Sequence, residues 1–128
     1  MTKLRVCIDV PDVARAVEFY GKTFGWTSIE RSGFAEMVGA PVPIDLLPRD
    51  EGSRTMPSNA TRVYERHWTP IHLDVIVDDV DATVARAVAL GAVLESGPDD
   101  ESFGRIAQLA DPFGHGLCIL QMSERGYR

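Results

Sequence analysis

Cysteine is scarce. The 128 residues hold only Cys7 and Cys118. A small secreted domain stapled by disulfides needs more, so two free thiols in a reducing interior are expected. Basic residues are in the minority, 13 Lys and Arg against 19 Asp and Glu, for a net charge of −6. That balance weighs against nucleic acid, where a basic face would be expected, and against an anionic membrane surface. No apolar run approaches the ~18 residues of a membrane span. The first apolar stretch stops at Asp9, too soon for a signal peptide. A cytoplasmic protein is therefore expected. Several chemistries are missing as well. There is no phosphate-cradling glycine loop or dinucleotide fingerprint and no nucleophile elbow. The fixed spacing of a calcium loop is absent too, so Asp78, Asp79 and Asp81 read as a solvated helix start.

What is present is ordinary in amount and unusual in order. Hydrophobic residues make up 45% and charged residues 25%, enough for one compact domain with a real core. The segment "LRVCIDVPDV" at residues 4–13 returns as "IHLDVIVDDV" at residues 71–80. Leu4 pairs with Ile71, Ile8 with Val75, Val10 with Val77, Asp12 with Asp79, and Arg5 with His72. Alternation predicts a strand over 4–10, with Leu4, Val6, Ile8 and Val10 on one face and Arg5, Cys7 and Asp9 on the other. The second copy sets Leu73, Val75 and Val77 against His72, Asp74 and Ile76.

A helix is predicted after each strand. Asp12 caps the first, whose apolar stripe is Val13, Ala16, Val17, Tyr20 and Phe24. Asp79 or Asp81 caps the second, with Val80, Val84, Ala87 and Val88 as its stripe and Gly91 as its stop. Strand-like runs follow at Thr27–Arg31, Phe34–Val38 and Ile44–Leu47, then at Ala92–Glu95, Arg105–Ala110 and Leu117–Gln121. Each half thus reads as a βαβββ unit. The polar stretch Pro48–Thr69 between them reads as a linker, or as a flap offering Tyr64, His67 and Trp68 to a pocket.

Three segments carry a family resemblance. "DVARAVEFYGKTFGW" at 12–26, "HLDVIVDDVDA" at 72–82 and "ADPFGHGLCIL" at 110–120 resemble, in order, the motifs of the vicinal oxygen chelate superfamily. That superfamily includes glyoxalase I, the bleomycin and fosfomycin resistance proteins and the extradiol dioxygenases. The resemblance implies an α+β fold: two tandem βαβββ modules whose mixed sheet curls into a half-barrel cup with helices outside. It implies one such domain over 1–128, with module one at about 1–48, a connection at 49–69 and module two at about 70–124. It further implies a homodimer.

Metal-using members of that superfamily carry ligands at four positions, on the first and last strand of each module. By resemblance these fall on Arg5, Asp45, His72 and Cys118. Arg5 has no acceptor atom, and a charge-assisted pair with Asp45 is expected to close that corner instead. The expected site is thus metal-free. One alternative is a zinc ion on Asp45, His72 and Cys118, the thiolate making zinc the most compatible divalent metal. Another is a site with Cys7 as the first-strand ligand. A Cys118–His72 pair making an activated thiolate is a further candidate. His115 reads as a turn residue and Cys118 as a small buried side chain.

Three functions stay open. The first is ligand binding without an intact metal centre, in a cup lined by Arg5, Cys7, Asp9, Asp45, His72, Asp74 and Cys118. The second is a metal-dependent lyase, isomerase or dioxygenase using His72 and Asp45. The third is a ligand-free dimer module with its cup filled by its own side chains.

Overall fold

The computed structural model describes residues 1–128. The chain divides into two compact units, Met1–Glu65 and Arg66–Arg128. Each carries the expected βαβββ order.

In the first unit, β1 (Val6–Val10) leads into α1 (Val13–Phe24), then β2 (Thr27–Arg31), β3 (Phe34–Val38) and β4 (Ile44–Pro48). In the second, β5 (Leu73–Ile76) leads into α2 (Val80–Ala89), then β6 (Val93–Glu101), β7 (Gly104–Ala110) and β8 (Gly116–Met122). The sheet orders are β1-β4-β3-β2 and β5-β8-β7-β6. In each sheet the first and last strands run parallel and the remaining pairs antiparallel. Both sheets are therefore mixed and unclosed, and the class is α+β. A crossover helix is what a parallel pair requires, and each module supplies one between its first two strands.

The helices start where the sequence predicts. Asp12 is extended and its carboxylate accepts from the Arg15 amide at 3.0 Å. Asp79, not Asp81, does the same for Ala82. Its carboxylate satisfies a donor that the helix itself cannot. Asp81 instead pairs with Arg105 of β7. The α1 stripe keeps Ala16 and Tyr20 of the expected set and shifts toward Phe19 and Thr23. Ala16, Phe19, Tyr20 and Thr23 are buried, while Val13 and Val17 are half-buried. The shift comes from aromatic packing: Phe19 meets Tyr20 edge-on at 5.0 Å, and Tyr20 stacks on Trp26 at 6.2 Å. Val88, assigned to the α2 stripe, is exposed.

Each core lies between a helix and one sheet face. Leu46, Met37 and Val10 fill it in the first unit; Leu109, Ile119 and Val80 fill it in the second. The main departure from expectation is β6, which runs on to Glu101 past Gly97 and Pro98. The expected run ends at Glu95, yet the strand continues through irregularities between Leu94 and Ser96 and between Ser96 and Asp99. Such bulges let a strand carry turn residues without ending.

The connection is no plain linker. Residues 52–62 form a hydrogen-bonded hairpin, with the Gly52 amide donating to Arg62 at 2.8 Å and a bridge between Arg54 and Thr61. Arg62 reaches Asp9 of β1 at 2.8 Å, and the Tyr64 hydroxyl donates to the Arg49 carbonyl at 2.7 Å. The hairpin thus belongs to the first unit.

Two glycines separate backbone strain from crowding. Gly33, between β2 and β3, has φ +85° and open space where a Cβ would go. Gly104, opening β7, has φ +148°, and a Cβ there would overlap the carbonyl of Gln121. We expect Gly33→Ala to cost about 1–2 kcal/mol, the left-handed penalty alone. Gly104→Ala should cost at least about 2 kcal/mol more, because β7 and β8 must also part. Urea denaturation of the two variants checks the difference.

Candidate functional site

Parallel pairing of the first and last strands fixes which polar side chains meet. In module one Cys7 lies opposite Asp45, and Asp45 opposite Glu36 of β3. Arg5 sits two residues before Cys7, so alternation sends it to the same face. Its guanidinium grips Asp45 with two bonds, Nε to Oδ2 at 2.8 Å and Nη2 to Oδ1 at 2.7 Å. Nη2 also lies 3.1 Å from Glu36 Oε1, which Arg31 Nε reaches at 3.1 Å as well. The Cys7 thiol stands 3.9 Å from Asp45 Oδ2.

Asp45 and Glu36 are buried carboxylates, 4% and 8% exposed. Left alone they would take up protons to escape desolvation. The Arg5 hydrogen bonds outweigh that effect and hold both below the usual carboxylate range. The same bonds push the Arg5 guanidinium higher still, so it stays charged. Two arginines face two carboxylates, and the corner is electrically closed. The expected pair of Arg5 with Asp45 is present. Glu36 and Arg31 complete it and were missed. A charged residue at the centre of the strand "FAEMV" was the signal for Glu36.

Module two repeats the register with other residues. Asp74 lies opposite Cys118, and Cys118 opposite Gln108 of β7. His72 stands two residues before Asp74, in the place Arg5 holds in module one. Its Nε2 is 3.0 Å from Asp74 Oδ1. The nearest metal-binding atoms of His72, Asp74 and Cys118 all lie within 4.8 Å of one another. Cys118 is buried, as expected. Burial, helped by the Asp74 charge and by a hydrogen bond to Asp74, pushes its thiol up to about 11. That environment is the reverse of one that activates a thiolate.

A cavity of about 250 Å³ opens beside this cluster, with Trp68, His72, Gln108 and Cys118 among its walls. Arg66 shapes its rim. It grips Glu95 through Nε at 2.8 Å and Nη2 at 3.0 Å, and its guanidinium lies over Gly116, where a Cβ would come within 2.7 Å of it. Of the aromatic residues assigned to a flap, Trp68 lines this cavity, while Tyr64 is held by Arg49 in the first unit. His115 is a turn residue as expected, its Nδ1 2.9 Å from the buried Asp111 carboxylate.

The six predicted site residues therefore form two groups of three, Arg5, Cys7 and Asp45 in one module and His72, Asp74 and Cys118 in the other. The four-position metal set does not fit these residues. Arg5 offers no lone pair, and its fork occupies both oxygens of Asp45.

Residues 5–120 match the family model described as a glyoxalase-like domain. The anthracycline biosynthesis protein DnrV of Streptomyces peucetius is 31% identical over 115 residues, which cover 90% of this chain and 39% of that one. The chain thus spans about two fifths of the length of that relative. A glyoxalase/bleomycin resistance protein/dioxygenase family enzyme from Burkholderia phytofirmans PsJN superposes with a TM-score of 0.73 at 21% identity, covering 93% of this chain and 97% of that one. TnmS3, an antibiotic binding protein from Streptomyces sp. CB03234, superposes with a TM-score of 0.67 at 25% identity, covering 96% and 97%.

The module-one network has a pH signature. A carboxylate held below its ordinary pKa stabilises the fold at pH above that ordinary value, and the contribution is lost as pH falls through the lowered one. Arg5→Met should therefore lower stability most near pH 7. The deficit against the parent protein should shrink once the pH falls below about 4. Urea unfolding from pH 7 to 3 reads this out. A deficit of constant size would mean that the pair contributes no charge-linked stability.

Proposed function

The chain is a member of the glyoxalase-like domain family, and from that footing we propose that it binds a small organic molecule without the four-ligand metal centre of the family's metal enzymes. One observation carries the reading. Arg5 stands where a first ligand is needed and is locked onto Asp45 and Glu36.

The ligand site is the module-two cavity. Trp68 presents an exposed indole for stacking on a planar group. Gln108 supplies both a donor and an acceptor, and His72 and Asp74 supply polar partners. Such a wall suits a partly aromatic, polar compound; among the similar proteins, DnrV is named for anthracycline biosynthesis and TnmS3 as an antibiotic binding protein. Arg5, Cys7 and Asp45 form the charge-closed counterpart of this site in module one. Residues 1–128 act as one functional domain. The protein works as a homodimer in the cytoplasm, a reading supported by the exposed apolar Ile29, Ile76 and Val93 and by the two free thiols.

A thermal-shift screen of chelator-treated protein against metabolites and antibiotics tests the reading. A compound at a hundredfold excess over its Kd should add about 2.7 kcal/mol of stability, a shift of several degrees in Tm. Trp68→Ala should abolish the shift without lowering the Tm of the free protein, since the indole is 80% exposed. If no compound moves Tm, the ligand-free dimer module is the better account.

A further inference from the structure

The two modules place the same register positions around different charges. Around Asp45 the row contains a built-in cation, Arg5. Around Cys118 the equivalent row contains His72 in place of Arg5, Asp74 in place of Cys7 and Gln108 in place of Glu36. Arginine is a donor and never a ligand; histidine, carboxylate and thiolate are all ligands. Module two has thus exchanged a resident cation for three groups that can hold a visiting one.

We propose that His72, Asp74 and Cys118 form a binding site for a single divalent ion of the zinc class, made by module two alone. The donor set fits that class. One imidazole, one carboxylate and one thiol match zinc or cobalt(II), whereas the thiol disfavours magnesium and calcium. The spacing fits too. Ligand atoms on a tetrahedral zinc lie about 3.3–3.8 Å apart, given bonds of about 2.0–2.3 Å. Here one pair is already at 3.0 Å and all three atoms lie within 4.8 Å of one another.

Access fits as well. The side chains of His72 and Asp74 are 49% and 47% exposed, and the cavity beside them leaves room for a water as fourth ligand. On binding, Cys118 gives its proton to solvent and the sulfur lone pair goes to the ion. His72 binds through neutral Nε2, and Asp74 binds through one oxygen. This set is not the four-position set tested above, because Asp74 lies outside that set and Arg5 and Asp45 take no part. The ligand-binding reading does not depend on it: the metal test uses no organic compound, and the compound screen uses chelator-treated protein.

The test uses the full chain purified without an affinity tag, stripped with chelator and titrated with cobalt(II). A thiolate-to-cobalt absorption band should grow to one ion per chain and vanish when zinc is added. Cys118→Ser should remove the band. Asp74→Asn and His72→Ala should weaken uptake at least about tenfold, since even outer-shell partners of a metal site are worth that much. Asp45→Asn should leave it unchanged. Circular dichroism establishes that each variant is folded. If the buried Cys118→Ser variant does not fold, Asp74→Asn on its exposed side chain decides alone. Absence of the band in the parent protein, undiminished uptake by Asp74→Asn, or loss of uptake in folded Asp45→Asn would each overturn the proposal.

Discussion

The parallel pairing of first and last strand is the constraint from which the rest of each module follows. It forces the intervening helix to cross over one face of the sheet, which buries Ala16, Phe19 and Tyr20 in one module and Val80, Val84 and Ala87 in the other. It also sets the far ends of each module side by side in space. Residues forty positions apart, Arg5 and Asp45, become neighbours at hydrogen-bond distance. The polar face of each sheet is a direct product of that register.

Given the same register, side-chain chemistry alone separates the modules. In the first, a guanidinium satisfies two buried carboxylates, and removing it would strand charge in a poorly solvated place. In the second, the corresponding atoms are a ring nitrogen, a half-exposed carboxylate and a protonated thiol. The first arrangement is complete in itself. The second leaves bonding capacity facing a cavity. A fold that duplicates a module can assign one copy to rigidity and the other to recognition.

Much of this was legible in the sequence because strand and helix periods are written in single residues. Asp12 and Asp79 announce helix starts, and the strands at 27–31 and 34–38 end where the alternation ends. The Arg5–Asp45 pair was legible once the first and last strands were set next to each other. Glu36 and Gln108 were not, because their place opposite Asp45 and Cys118 depends on the register of antiparallel neighbours, and a slip of one residue would turn them away. The length of β6 was hidden by Gly97 and Pro98, residues that end most strands and here sit between register shifts. Arg66 and Glu95 were invisible for a different reason. They are joined by a long-range contact between loop and strand, which no local pattern encodes.

Gly116 opens β8 directly beneath the Arg66 guanidinium, which comes this close because nothing projects from the strand below it. The rim of the cavity therefore rests on a missing methyl group. An alanine there would lift the arginine and reset the mouth of the cavity, while the ladder of β7 and β8 stayed in register. Aperture and scaffold are thus separately adjustable, one carbon atom at a time.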